Sequence, residues 1–249
     1  MAAWILGRGR LGEDRPSHLA RLVSLAPSMT ANLIALGFAD RIVGFSDECE
    51  ELFDEPLGLS LGSFTDIDEG VLAAVNPDLV LGDRLLNTSE NLNAIQRQGF
   101  PMAIAEVEGL ESSAVFLEEL GELLEVAPKA EPMLRELRAL LAESPSSELA
   151  GRRVGILHPD ASGRCLSEAT YPASLLRWLG ASVVTWEGEL SEAVSAEAEL
   201  ILCPIEEEVL PEDLRECPKL RLIRPATVLC FGAGTVASVH EIRGDLSTG

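Results

Sequence analysis

The sequence predicts an α/β fold with two Rossmann-like lobes, each built on a mostly parallel sheet, joined by a long bridging helix. Short apolar runs alternate with amphipathic segments over residues 21–110 and again over residues 148–249. This alternation is typical of parallel strands covered by helices. Residues 111–147, between the two stretches, carry helical periodicity and no strand pattern. A chain of 249 residues is long enough for two lobes of ordinary size.

The first lobe opens with RLVSLAPSMTANLIALGFADRIVGFSDEC, residues 21–49. Its first apolar run predicts a strand, and a helix follows Pro27, with Ser28 as N-cap and Gly37 at its end. A second apolar run predicts a parallel strand, and the polar cluster after it begins at Asp47. In open α/β sheets, ligands bind beyond the carboxyl ends of the strands.

The rest of the first lobe continues this pattern. Asp68 and Glu69 open a short helix that ends before Pro77. Further strands are predicted over residues 78–81 and 101–105, and a further helix over residues 89–99. Residues 1–20 show no clear periodicity, and we expect them to form a loosely held N-terminal arm.

The connection and the second lobe are assigned in the same way. Pro128 and Pro132 divide the connection into two helical pieces, because proline interrupts helical hydrogen bonding. In the second lobe, strands are predicted over residues 153–157, 182–186, 199–203 and 226–230, and helices over residues 172–179 and 235–242.

The charge balance excludes some classes of partner. The sequence has 19 Lys and Arg against 41 Asp and Glu, a formal net charge of −22. Nucleic acids and anionic membranes are bound by clustered basic side chains, so neither is an expected partner. No apolar run approaches the length of a membrane span. The acidity is typical of a well-solvated surface.

The amino terminus and the cysteines bear on location. The segment MAAWILGRGRLGED lacks the apolar core and small-residue cleavage site of a secretory signal. Five cysteines without a CxxC pair suit a reducing compartment. We therefore expect a cytoplasmic protein from the sequence as written, and a periplasmic one if a native signal has been removed.

Several segments resemble a known family. The stretch 21–49 and NPDLVLG at 76–82 resemble the helical-backbone periplasmic binding proteins, in which a helix joins two α/β lobes. Members bind cobalamin, haem and iron–siderophore complexes for ABC importers. The resemblance covers residues 21–242 and is closest to the cobalamin-binding group. A branch of that group without a signal is similar at SDEC (46–49) and in the last loop and helix (231–242).

The resemblance implies non-catalytic binding of a corrinoid such as cobalamin in the interlobe cleft, with no cofactor required. Haem or a ferric chelate is the alternative ligand, and a cytoplasmic interaction or regulatory module that has lost its ligand is the alternative function. An ABC permease is the implied partner, docked through one glutamate on each lobe. The matching positions carry Gly70 and Ser191, near Asp68, Glu69 and Glu192.

Aromatic residues make up 4% of the chain, so those at strand ends are candidate walls for a chelate site. Phe64 matches the position at which cobalamin binders place an aromatic wall. Tyr171 opens a helix on the same side, and Trp186 and Phe231 follow second-lobe strands. For each of the four, ordinary packing in the core is the alternative.

Polar candidates also follow strands. His158 ends the first strand of the second lobe and is the candidate metal ligand, as an axial ligand; a histidine that caps its own loop is the alternative. In the first lobe, a cluster past a strand end either forms part of the cleft rim or binds a cation directly; its members are Asp47, Glu48, Cys49, Glu50 and Glu51. The first-lobe candidates are Ser28, Asp47, Glu48, Cys49 and Asp83.

Motifs for catalysis are missing. The sequence has no GxSxG, GxxxxGK[ST] or HExxH and no complete dinucleotide fingerprint. An enzyme that uses Cys49 as a nucleophile needs a histidine or carboxylate within hydrogen-bond reach of the sulfur. We therefore expect that the protein is not an enzyme.

Overall fold

The computed structural model describes residues 3–9, 11, 16, 19–53, 55, 58–160, 162–186, 188, 198–205 and 210–246. In these parts of the chain, helices surround two separate parallel sheets. The expected α/β class with mostly parallel sheets is confirmed.

Six strands form the first sheet: β1 (Ala3–Leu6), β2 (Leu22–Ser24), β3 (Ile42–Phe45), β4 (Leu59–Ser60), β5 (Leu79–Asp83) and β6 (Met102–Ala105). They lie in the order β1-β6-β5-β2-β3-β4, and every neighbouring pair is parallel. The central strands β2, β5 and β6 are buried along their whole length. Burial of both faces explains why their sequences are continuous apolar runs.

Four strands form the second sheet: β7 (Arg153–Ile156), β8 (Ser182–Val183), β9 (Leu200–Cys203) and β10 (Leu220–Leu222). Their order is β10-β9-β7-β8, again with parallel pairing.

Helices flank both sheets. They are α1 (Pro27–Ala35), α2 (Glu69–Val75), α3 (Ser89–Gln98), α4 (Leu110–Leu123), α5 (Ala127–Ala142), α6 (Tyr171–Trp178), α7 (Glu212–Arg215), α8 (Pro225–Leu229) and α9 (Thr235–Leu246). Short 3₁₀ helices occur at Ala39–Arg41, Asp47–Leu52 and Gly232–Gly234. Within the described residues, no helix has both the length and the apolar character needed to cross a membrane.

The N-terminal segment corrects one prediction. Instead of a loose arm, residues 3–6 form the edge strand β1, which pairs with β6. Glu119 on α4 is buried and holds the chain just after this strand, because its carboxylate accepts hydrogen bonds from the backbone N–H of Gly7 (2.5 Å) and Leu11 (3.1 Å). The strand was missed because four apolar residues followed by glycine and arginine carry little periodic signal.

A second correction lies in the second lobe. The predicted strand 226–230 is instead the helix α8, and the strand β10 lies earlier, at Leu220–Leu222. Pro225 begins α8, where a missing N–H costs nothing and the fixed φ suits the first turn. Val228 and Leu229 are buried in the core. Packing therefore overrides the strand preference of a β-branched run.

The connection between the lobes contains two helices, α4 and α5, rather than one continuous helix. The chain reverses between them at Glu125, which has a positive φ of 56°. Pro128 lies in the first turn of α5, where proline is well tolerated, whereas Pro132 lies inside the helix and does not divide it.

The two lobes meet in a shared core that surrounds α1. Asn32 on α1 donates from Nδ2 to the backbone oxygen of Phe231 (2.9 Å) and accepts at Oδ1 from the N–H of Ala233 (2.9 Å). The same Nδ2 also donates to the Ser28 oxygen (2.7 Å). Because Asn32 is fully buried, this pair of interlobe hydrogen bonds fixes the loop before α9 against the first lobe.

Candidate ligand-binding cleft

A cleft of about 540 Å³ lies between the lobes. Its walls are loops that follow the carboxyl ends of β2, β3 and β4 in the first sheet and of β7, β9 and β10 in the second. The lining residues are Pro27, Asp47, Glu48, Glu50, Glu51, Ser63, Phe64, Thr65, Pro159, Asp160, Pro204, Ile205, Pro225 and Leu229. This is the position at which parallel α/β sheets bind ligands.

Glu48 organises the first-lobe wall. It lies in the 3₁₀ helix Asp47–Leu52, and its carboxylate accepts from the hydroxyl of Ser63 (2.6 Å) and the N–H of Phe64 (3.0 Å). Asp47, next to it, accepts a hydrogen bond from the Ser60 hydroxyl. Two loops that follow neighbouring strands are thereby held together as one wall.

Asn87 supports this wall from below. Its Nδ2 donates to the backbone oxygens of Leu25 (2.8 Å) and Phe64 (3.0 Å), and its Oδ1 accepts from the N–H of Asp83 (2.7 Å). The side chain is buried, so all three bonds are protected from water. Phe64 borders the cleft, yet it is only 3% exposed, and little of the residue is available for contact with a ligand.

The second-lobe wall is mainly apolar. Prolines follow three of its strands at Pro159, Pro204 and Pro225, and Ile205 and Leu229 complete the surface. Asp160 carries the negative charge of this wall, and its carboxylate pairs with the guanidinium of Arg164 (2.5 Å). Desolvation of Asp160 is outweighed by its hydrogen bonds to Ser162 and Arg164, which lower its pKa to about 2.

His158 does not line the cleft. Its Nδ1 accepts from the N–H of Asp160 (3.3 Å) and lies 3.1 Å from the Asp160 carboxylate. The side chain therefore caps its own loop, as the alternative prediction for this histidine states. Its role as an axial ligand stays a prediction.

Ser28 and Asp83 form a buried pair under the cleft floor. The Ser28 hydroxyl donates to the Asp83 carboxylate (2.8 Å), which also accepts from the N–H of Leu85 (2.9 Å). Burial raises the pKa of Asp83 to about 6. The N-cap of α1 is Ala26 instead of Ser28, because the helix already begins at Pro27. Neither residue lines the cleft, contrary to expectation.

Cys49 is also turned away from the cleft. Its neighbours in the 3₁₀ helix line the cleft, whereas its own side chain is fully buried, with Sγ 3.3 Å from the hydroxyl of Ser46. Burial raises the pKa of this thiol to about 12. No histidine or carboxylate hydrogen-bonds the sulfur within the described residues, so the geometry required of a nucleophile is not met.

Tyr171 and Phe231 pack in the interlobe core instead of forming cleft walls. The Tyr171 hydroxyl donates to the Thr235 hydroxyl (3.1 Å), and burial raises its pKa above the usual range. Phe231 makes edge contacts with the rings of Phe116 and Tyr171, at centroid distances of 4.8 and 5.7 Å. Both side chains are almost completely buried, which matches the packing alternative.

Trp186 is likewise outside the cleft lining. Its ring lies directly over Gly155 in β7, where an added Cβ would come within 2.4 Å of it. Among the described residues, its buried Nε1 has no hydrogen-bond partner. The indole therefore packs on the second sheet.

Three of the predicted site residues thus come together at the cleft: Asp47, Glu48 and Phe64. Glu50 and Glu51, which belong to the predicted rim cluster, also line the cleft, whereas Asp160 and the prolines that follow the second-lobe strands were not predicted. A proline directly after an apolar run was the available signal, since it ends the strand and begins the loop. Asn32 and Asn87 carried no such signal, because their partners are distant in sequence.

The lining is acidic, but it does not form a metal-coordination shell. Five lining residues are carboxylates and none is Lys or Arg. Over the described residues, no three His, Cys, Asp or Glu side chains converge in an arrangement that holds a metal ion. The cleft therefore offers negative charge and apolar surface, not a set of ligands for a bare cation.

Comparison with solved structures identifies the fold. The chain is similar to the periplasmic vitamin B12 binding protein BtuF of Vibrio cholerae, with TM-score 0.69, 17% identity, and coverage of 92% of this chain and 97% of that one. It is equally similar to the periplasmic haem-binding protein RhuT of a Roseiflexus species, with TM-score 0.70, 17% identity, and coverage of 93% and 99%.

A third similar structure is an ABC-type Fe3+-hydroxamate transport system of Saccharomonospora viridis, with TM-score 0.69, 17% identity, and coverage of 94% of both chains. Comparison with protein-family models and with curated proteins finds no match. The chain therefore has the two-lobed fold of the periplasmic binding proteins over nearly its whole length.

The positions expected to dock a permease are only partly described. On the first lobe, Gly70 lies in α2. Asp68 caps that helix by accepting from the N–H of Gly70 (2.8 Å) and Val71 (2.9 Å), and Glu69 accepts from Gln98 (2.5 Å). On the second lobe, residues 191 and 192 lie outside the described residues.

Proposed function

We propose that this chain is a non-catalytic solute-binding protein that holds a metal chelate in the cleft between its lobes. The observation that carries the proposal is the cleft itself, which has about 540 Å³ of space and walls from both sheets. This volume and this mixture of apolar walls with a few polar groups are typical of small-molecule sites. The comparison structures support the ligand class, since they are described as proteins for vitamin B12, haem and ferric hydroxamates.

The absence of catalysis in the proposal rests on the groups around the cleft. The buried thiol of Cys49 is bonded to a hydroxyl and has its pKa raised to about 12, whereas a nucleophilic cysteine needs a lowered pKa and an adjacent base. The five lining carboxylates have no histidine among the lining residues to complete an acid–base pair.

Within the chelate class, a corrinoid is the first ligand to test, and haem or a ferric chelate is the alternative. Cobalamin carries a nucleotide tail beside its corrin ring, so it is a larger ligand than haem or a compact ferric chelate. A compact ferric chelate would be enclosed more completely, and enclosure of most of the ligand surface is usual in such sites.

Direct titration tests the proposal. Cyanocobalamin, haemin and a ferric trihydroxamate are added separately to the purified protein, and both heat and the visible absorption bands are followed. We expect at least one chelate to bind with a Kd of about 10 μM or tighter. If all three produce neither heat nor a band shift at high micromolar concentration, the proposal is wrong. The alternative of a module that has lost its ligand would then be favoured.

A cytoplasmic location is a further part of the proposal, and delivery to an ABC permease is the alternative, which requires a periplasmic location. Asp68 and Glu69 provide carboxylates next to the expected docking position on the first lobe, and the five cysteines are unpaired, which is compatible with a reducing compartment. Fusion to a phosphatase that is active only after export tests the location. An inactive fusion is expected, and an active one would contradict it.

A further inference from the structure

We propose that the cleft selects chelates by charge, and that its ligand is a cationic metal chelate. The inference rests on the proposed function, since it takes the interlobe cleft as the binding site. The cleft is defined by its walls and volume, and the carboxylates on those walls determine which ligands it accepts.

The negative charge of the cleft comes from both lobes. Asp47, Glu48, Glu50 and Glu51 lie on the first-lobe wall, and Asp160 lies on the second-lobe wall. A ligand that sits between the walls therefore has carboxylates on two sides.

Much of this charge is not cancelled by neighbouring cations. Glu48 is held by a hydroxyl and a backbone N–H, which are neutral donors that keep the carboxylate in place without changing its charge. Asp47 likewise accepts from the hydroxyl of Ser60. The Glu50 side chain is exposed, and no hydrogen bond or ion pair is found for its carboxylate among the described residues. Asp160 differs, because Arg164 pairs with it.

The apolar walls increase the effect of these charges. Pro27, Pro204, Ile205 and Leu229 border the same space and are buried, so they exclude water and weaken dielectric screening near the ligand. A cleft with one sign of charge and low-dielectric walls concentrates the field and attracts ligands of opposite sign. The net charge of −22 also attracts cations towards the protein at long range.

This charge distribution discriminates between chelates that share a shape. The propionates of haem would meet carboxylates without a lining Lys or Arg to pair with them. A chelate that carries an ammonium group or an uncompensated metal charge would instead form charge-assisted contacts with the same carboxylates.

Two ligand series that vary charge at nearly constant shape test the inference. The first contains ferrioxamine B with its free ammonium, the N-acetylated form and the N-succinylated form, so that the net charge changes from positive to neutral to negative. The second contains aquocobalamin, cationic in slightly acidic buffer, and neutral cyanocobalamin. Affinities are measured by calorimetry at low and high salt.

In whichever series binds, we expect the cationic chelate to bind about tenfold more tightly than the neutral or anionic chelate of the same series. The preference should shrink in high salt, because exposed charges are screened. Glu50→Gln should reduce the preference, whereas the control Glu136→Gln, at an exposed position on α5, should not. For the corrinoid pair, the comparison of low and high salt separates charge from coordination to cobalt, because salt screens charges but does not screen a coordination bond.

The outcomes distinguish the two proposals. If a series binds with equal affinity across its charges, or prefers the anionic member, the charge inference is wrong and the solute-binding proposal stands. If no member of either series binds, the charge inference is wrong, and the solute-binding proposal falls only if haemin also fails to bind.

Discussion

Asp83 offers a stability test that depends directly on the structure. Its carboxylate is buried at the end of β5 and is bonded to the Ser28 hydroxyl and the Leu85 N–H. Burial raises the pKa from the usual value of 3.8 to about 6. The folded state therefore binds the proton of Asp83 more tightly than the unfolded chain does.

The size and sign of the effect follow from linkage. A pKa raised by about two units corresponds to roughly 3 kcal/mol. Since the folded-state pKa is the higher one, this stability is fully present below the unfolded pKa near 4 and is lost as the pH rises through about 6. At neutral pH, the protein folds with an ionised carboxylate that burial disfavours.

Replacement of Asp83 by Asn should remove this penalty. The amide oxygen can still accept from the Leu85 N–H, and the amide nitrogen can donate to the Ser28 oxygen. We expect Asp83→Asn to raise the free energy of unfolding by up to about 3 kcal/mol near pH 7.5 and to leave it almost unchanged near pH 4. Urea denaturation at the two pH values measures both differences.

Asp66→Asn provides the matched control, because Asp66 is exposed and the change removes one negative charge without affecting a buried group. That variant should shift stability by less than about 0.5 kcal/mol. If Asp83→Asn instead destabilises the protein at neutral pH, or has the same effect at both pH values, the carboxylate is ionised without penalty in the fold and the reasoning is wrong.

Three further predictions concern the interlobe core and the thiols. Asn32→Ala leaves buried partners in both lobes unsatisfied and should lower the free energy of unfolding by about 3 kcal/mol in urea denaturation; a change within about 0.5 kcal/mol would contradict the role of this side chain. Gly232→Ala should destabilise the protein more than Gly151→Ala does. Both glycines have positive φ, but an added Cβ at Gly232 would lie 2.5 Å from Oδ1 of Asn32, whereas one at Gly151 meets nothing within 4 Å. Equal thermal midpoints for the two variants would refute the clash. Alkylation of the native protein followed by mass spectrometry should modify the partly exposed Cys165 well before the buried Cys49; faster reaction at Cys49 would show that its thiol is accessible.

The central strands of the first sheet were easier to predict from the sequence than its edge strands. The strands β2, β5 and β6 are buried on both faces, so their apolar runs were visible without a partner. The edge strand β1 is four residues long, too short to show periodicity. The local sequence of α8 favours a strand, but the segment forms a helix because Pro225 starts a helical turn and its apolar side chains pack in the core.

The loops that carry the site were predictable, whereas the direction of their side chains was not. Strand ends correctly located the polar cluster that begins at Asp47 at the cleft. Within that cluster, the 3₁₀ helix turns Cys49 inwards and leaves Glu48 and Glu50 at the cleft. A pattern of residue types does not contain this rotation. The buried pair of Ser28 and Asp83 shows the same limit, because Ser28 comes soon after β2 and Asp83 ends β5, yet both side chains are buried.

The central claim is that a metal chelate binds in the interlobe cleft. The measurement that tests it most directly is titration of the preferred chelate into wild type, Thr65→Trp and Gln96→Trp. Thr65 lines the cleft, so the indole should occupy ligand space and weaken binding by about tenfold or more. Gln96 is an exposed residue on α3, and its variant should bind as wild type does. Equal affinity for all three proteins, with Thr65→Trp shown to be folded, would contradict the claim.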